Sequence, residues 1–438
     1  MPTYMRMGTV IVVCALVVTA CGASGGGAGR PIARSGADSI LEVSRGCQGQ
    51  NAEVEEAVDH AYVYQTWIGC GGIGFARSTN GGLSFGHPLT VPGSAGSGYY
   101  PSHLPKFGWD PAIAVAPDGT LYVSYMIERN GYAHPVVAVS VNHGASLSKV
   151  SAIMPPNRNN WGDRDFITVA PTGALYVTWD YGQSIRTRYP NTVLQRSTNG
   201  GKTWSHLVAV SPGFPAHGGG VAAPLVVEPG GRIDVLFWTL GGDGIKHPKL
   251  PDNHIYFTSS ADGGRTWSKA VAVQPAAGSI GRTVTWIDTA LGIDPGGTLY
   301  ATWDTQHPGG DIGWLSYSTD NGRTWSPARR VTLDHDNAEH IMAVVGGPRP
   351  GTAYVSWLSN DAPQGFAQYL RAFSVRAGWL SAPVRVSRKY GSLNTWPGDT
   401  IGISLLGNGG PHGPRVILSW GSAVNRHISQ IWAARVTP

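Results

Sequence analysis

Charge is scarce in this 438-residue chain: Asp, Glu, Lys and Arg make up 13% of it, and the surplus of +5 is spread without runs of Lys or Arg. That argues against nucleic acid as a partner. There are only 4 cysteines, too few for a disulfide-dense scaffold. No stretch shows the 3.6-residue period of an amphipathic helix. The N-terminal apolar run, residues 9–20, is too short to span a bilayer, which takes about 20 residues. What abounds is punctuation and ring surface, with Gly 61, Pro 31 and Trp 16. Many turns, large rings and little charge describe an all-β chain.

The turns recur. STNGGKTW at 197–204 has close copies in STNGGLSF at 78–85, SADGGRTW at 260–267 and STDNGRTW at 318–325, with worn copies SVNHGASL at 140–147 and SVRAGWLS at 374–381. Asn or Asp at the third position can bond its own turn, Gly at the fifth accepts a positive φ, and the last ring anchors the unit. A second marker is the aromatic that closes a strand-like run: Trp67, Tyr125, Trp179, Trp238, Trp303, Trp357 and Trp420. Its spacing near sixty marks a repeat architecture. It also counts seven units where the octets count six.

Each unit reads as strand A, a Pro/Gly turn, strand B, a loop, strand C, the octet and strand D. The expected fold is therefore a seven-bladed β-propeller of four-stranded antiparallel blades, with six blades as the alternative. The seventh unit reaches Pro438 without a strand D. The segment SILEVSRG at 39–46 is expected to supply it and so close the ring. In domain terms, 1–20 reads as a signal peptide, 21–38 as a flexible tether and 39–438 as one propeller.

The octets resemble the Asp-box, or BNR, repeat of the sialidase-like propellers, and the segment around Cys21 resembles a bacterial lipobox. The first resemblance implies a glycan or glycoconjugate as ligand and, if the chain is catalytic, an exo-sialidase or related glycoside hydrolase. The alternative is a non-catalytic recognition or assembly scaffold that uses the same face for a protein partner. The second resemblance implies lipidation at Cys21 and an extracytoplasmic, membrane-attached protein, touching the membrane through its lipid only. A monomer is expected. In an oxidising compartment Cys47 and Cys70 should pair.

Blade geometry puts the octets on one face and the connections into strand A on the other. These connections carry indoles beside carboxylates: Trp109 with Asp110, Trp161 with Asp163 and Asp165, Trp286 with Asp288, and Trp396 with Asp399. An indole platform beside charged groups suits a sugar. The bland alternative is that the Trp residues pack between blades. Sialidases use a Tyr, a carboxylate and three Arg, for which Tyr181, Asp165, Arg164, Arg282 and Arg186 are the candidates here. The Arg-Ile-Pro motif that supplies the first sialidase Arg has no match. The run from Asp334 to His340 crowds ligand types without any recognised spacing, so no metal and no cofactor is expected.

Overall fold

The computed structural model describes residues 37–95, 108–129, 132–148, 151–157, 160, 162–182, 191–210, 220–221, 224–239, 254–273, 289–305, 312–332, 340–361, 364–407, 413–424 and 427–438. Within them lie seven antiparallel sheets, one per expected unit, and together they form a seven-bladed propeller. Blade one runs A Ala52–Asp59, B Tyr62–Gly69, C Gly72–Ser78 and D Leu89–Thr90. Blade two begins with Trp109–Val115, blade three with Asp163–Val169, and blade five with Ala290–Ile293.

Blade seven has A Gly402–Leu406, B Arg415–Ser422 and C Gln430–Val436, and its D strand is Ala37–Glu42. That closing strand pairs antiparallel from Ala37 opposite Val436 to Glu42 opposite Trp432. It starts two residues before the expected segment and ends at Glu42, because from Val43 the chain turns towards blade one. Val43 donates to the Ile431 carbonyl, the Ser44 hydroxyl donates to Gln430, and Asn51 donates to the Ser429 carbonyl. Cys47 and Cys70 are disulfide-bonded across this crossing, with Cα atoms 4.7 Å apart.

The core is divided among the seams. Seven apolar clusters each join one blade to the next, and the strand B aromatics are their centres: Trp67, Tyr125, Trp179, Trp303 and Trp357 are essentially inaccessible. Each such ring contributes on the order of 3 kcal/mol. Two of the indoles also have polar anchors just ahead of strand A: Trp67 donates to Asn51 at 2.8 Å and Trp179 to Asn160 at 3.1 Å.

The octets are latches as well as turns. The first Ser hydroxyl accepts the fifth residue's N–H at 2.9 Å at Gly82, Gly144, Gly264 and Gly322 and at 3.0 Å at Gly201. The third residue accepts the seventh residue's N–H, as from Ser84, Ser146, Thr203, Thr266 and Thr324. The copy at 140–147 thus keeps the full bond set despite its worn sequence. The copy at 374–381 has Arg376 in place of the acceptor and keeps only a long bond from Ala377 N–H to the Ser374 hydroxyl.

The fifth-position glycine also seats on the preceding blade. Gly322 has φ 77°, and a Cβ there would lie 2.0 Å from the Phe257 ring of blade four. Gly322→Ala therefore adds left-handed strain to a clash with a buried ring, and should cost about 3 kcal/mol. A lowered unfolding midpoint in denaturant checks this; an unchanged midpoint would show that the seam can yield.

Candidate functional site

Three consecutive blades share one irregularity at the start of strand A. One extra residue is inserted between Ala52 and Val54, between Trp109 and Ala112, and between Asp163 and Phe166, relative to the facing strand B. These are β-bulges, which re-aim a side chain. At each, a non-glycine residue is left-handed: Glu53 at φ 54°, Asp110 at φ 47° and Arg164 at φ 52°. Such a conformation costs on the order of 1 kcal/mol and persists only where the surroundings enforce it. Pro111, which cannot donate to a ladder, follows Asp110 where the bulge requires no donor.

The bulged side chains converge. Asp110 forms side-chain hydrogen bonds with Glu53 and with Asp163, and its Oδ2 accepts the Arg164 backbone N–H at 2.7 Å. The Arg164 guanidinium lies 3.9 Å from Asp399, whose Oδ1 accepts the Trp396 indole N–H at 2.9 Å. Gly398, at φ 113°, lets blade seven approach this group: a Cβ there would fall 2.1 Å from the Glu53 nitrogen. Four carboxyls and one guanidinium from blades seven, one, two and three thus share one site, beside a Trp396 ring that is 48% exposed.

Burial sets the protonation. Glu53 is pushed well above the usual carboxylate range, first by desolvation and then by the neighbouring Asp110, Asp399 and Asp163. Asp163 is raised for the same reasons, burial first and Asp110 second. Burial also raises Asp399, against the pull of Arg164, and Asp165, which is set against Ser124. Carboxyls this close cannot all ionise. Glu53 and Asp163, both raised, therefore stand beside Asp110 as the groups that hold their protons most readily.

Of the residues read from the sequence, Asp110, Asp163, Arg164, Trp396 and Asp399 are brought together. Trp109 is half-buried between blades two and three and donates to the Gly162 carbonyl at 3.0 Å, so it packs and ties the seam. Its positional equivalent in blade three is Asp163, and that of Asp110 is Arg164. Tyr181 ends strand B of blade three with its hydroxyl 3.5 Å from Asn157 Nδ2. Trp161, Trp286, Asp288, Arg186, Arg282, Cys21 and residues 333–339 lie outside the described residues. Glu53 was not anticipated. No indole flanks it, but it stands 14 residues before Trp67, much as Asp110 and Arg164 stand 15 before Tyr125 and Trp179. Among the described residues no group of three or more His, Cys, Asp or Glu is arranged to hold a metal ion.

Two of the octets, within residues 195–206 and 316–327, match the BNR/Asp-box repeat. No curated protein matches the chain. Among solved structures it is similar to an ulvan lyase of a polysaccharide lyase family, at 14% identity and TM-score 0.62, covering 91% of this chain and 96% of that one. It is also similar to an α-L-arabinanase of Penicillium chrysogenum complexed with arabinobiose, at 13% identity and TM-score 0.50 over 75% and 93% of the two chains. A Hadza microbial sialidase matches at 14% identity and TM-score 0.50 over 86% and 76%. These likenesses bear out the fold.

Proposed function

We propose that this chain, a β-propeller of the sialidase-like BNR type, is a glycan-acting protein of glycoside hydrolase type that holds an uncharged sugar unit at the Glu53–Asp110–Asp163 cluster. The observation that carries this reading is the convergence of Glu53, Asp110 and Asp163, with burial raising Glu53 and Asp163, beside the exposed Trp396 ring. Such a unit offers carboxyl oxygens as acceptors to sugar hydroxyls. It also has a proton to give to a glycosidic oxygen, recovered from the water that enters the product. Trp396 is the stacking platform, held in place by Asp399.

The same group disfavours a sialic acid at this position. Among the described residues its carboxylate would meet four carboxyls and the Arg164 guanidinium, which Asp399 already engages. The leader 1–20, a tether from 21 up to the closing strand at Ala37, lipidation of Cys21 and a monomeric, extracytoplasmic protein belong to the same proposal; the apolar run 9–20 and the lipobox-like segment support them.

A panel of fluorogenic neutral glycosides and sialosides, with a glycan array, tests the reading. Neutral glycans should bind, and Trp396→Ala should weaken that binding by roughly tenfold. Turnover of sialosides alone, or no glycan bound at all, would overturn it.

A further inference from the structure

The charge missing from most of the chain is concentrated on one outer edge. From Gln364 to Gly398 there is no Asp or Glu, while Arg376, Arg385, Arg388 and Lys389 follow one another along the D edge of blade six, formed by Gly378–Trp379 and Val384–Arg385. Blade five adds Arg329, whose guanidinium reaches this edge: its Nη1 is 3.8 Å from where a Cβ on Gly378 would stand.

Cations on an edge strand also serve to discourage strand pairing, so the other blades decide the matter. The corresponding stretches 81–95, 143–154, 200–210, 263–273 and 321–332 hold no Lys or Arg in blade one, Lys149 in blade two, Lys202 in blade three, Arg265 with Lys269 in blade four, and Arg323, Arg329 and Arg330 in blade five. Edge protection, met with so few cations in blades one to three, does not need the accumulation on the adjoining blades five and six. Arg329, Arg376, Arg388 and Lys389 are exposed, and Arg385 lies 4.5 Å over the Tyr390 ring, which presets it. In their midst Leu380 is 56% exposed.

Guanidinium and ammonium groups around a protruding aliphatic side chain match an anionic bilayer surface. The cations pair with headgroup phosphates while the apolar side chain enters the boundary below them. A soluble polyanion would use the charges and leave Leu380 in water. We propose that the outer edge of blade six docks on anionic lipid, holding the propeller edge-on to the membrane and leaving the Glu53–Asp110–Asp163 cluster open to the side.

Co-sedimentation of the full chain with mixed phosphatidylglycerol–phosphatidylcholine vesicles tests this, with pure phosphatidylcholine vesicles as reference. The apolar 9–20 segment contributes equally to parent and variants, so the readout is their difference. The combined variant Arg329→Gln, Arg376→Gln, Arg388→Gln, Lys389→Gln should lose roughly a hundredfold in affinity for the anionic vesicles. Arg→Lys at 329, 376 and 388 should bind like the parent, which separates charge from misfolding. Leu380→Ser should remove the part of the binding that survives high salt, since apolar insertion is not screened. Equal sedimentation of parent and Gln variant would overturn the proposal, as would binding to dextran sulfate without binding to anionic vesicles.

Discussion

Asp110→Asn should lower glycoside turnover by a factor on the order of 10²–10⁴ while leaving glycan affinity within a few-fold of the parent. Asn has the same shape and still accepts the Arg164 N–H, which Asp110 Oδ2 takes at 2.7 Å. Its amide cannot accept from both Glu53 and Asp163, nor take up a proton. One of those buried acids then lacks an acceptor, and the proton relay between the groups is broken. The split between rate and affinity is diagnostic. A loss of binding equal to the loss of rate would make Asp110 a positioning residue, and unchanged turnover would remove it from the chemistry.

The second large effect concerns stability. Glu56 lies on strand A of blade one at the seam with blade seven, 9% exposed. Gln65 donates to it at 3.3 Å, Ser404 and Ser419 stand beside it, and its Cγ is 2.5 Å from where a Cβ on Gly402 would stand. Burial pushes its carboxyl up to about 8 from the ordinary 4.5, against the smaller opposing pull of the two serines and Gln65. A raised acid binds more protons folded than unfolded, so its contribution is complete below about pH 4.5 and is lost as pH climbs through 8. The loss amounts to about 5 kcal/mol for this one group.

Denaturant unfolding at pH 5 and pH 9 should show the parent markedly weaker at the higher pH. Glu56→Gln preserves shape without an ionisation, and it should remove the Glu56 share of that difference and leave the share of the other raised acids. Parallel pH profiles for the two proteins would rule Glu56 out as the cause.

The architecture was legible because it repeats. Seven aromatics at a near-constant interval count blades without reference to any single residue, and the unpaired edge of the seventh unit predicts its own remedy, the strand Ala37–Glu42. The bond network of the octet at 140–147 was less legible, since Leu147 stands where the better copies have Trp or Phe, yet Ser146 still bonds Asn142. The site was half legible. Indole–carboxylate pairs led to Asp110, Asp163 and Asp399, but the bulges that align them insert a residue that composition does not announce. Counting back from each strand B aromatic would have found Glu53 and exchanged Asp163 for Arg164 as the partner of Asp110 in position. The same count places Asp288 15 residues before Trp303.

The closing strand also dictates an order of events. Residues 37–42 leave the ribosome first, yet their only ladder is with residues 430–436, the last strand of the ring. For nearly the whole of synthesis that strand waits without a mate, and the seam around Glu56 and Cys47 is an open flank that any other extended segment could occupy. Contacts so distant along the chain form slowly. The disulfide to Cys70 ties this segment to blade one, so once that bond has formed the clasp is held beside the gap it fills.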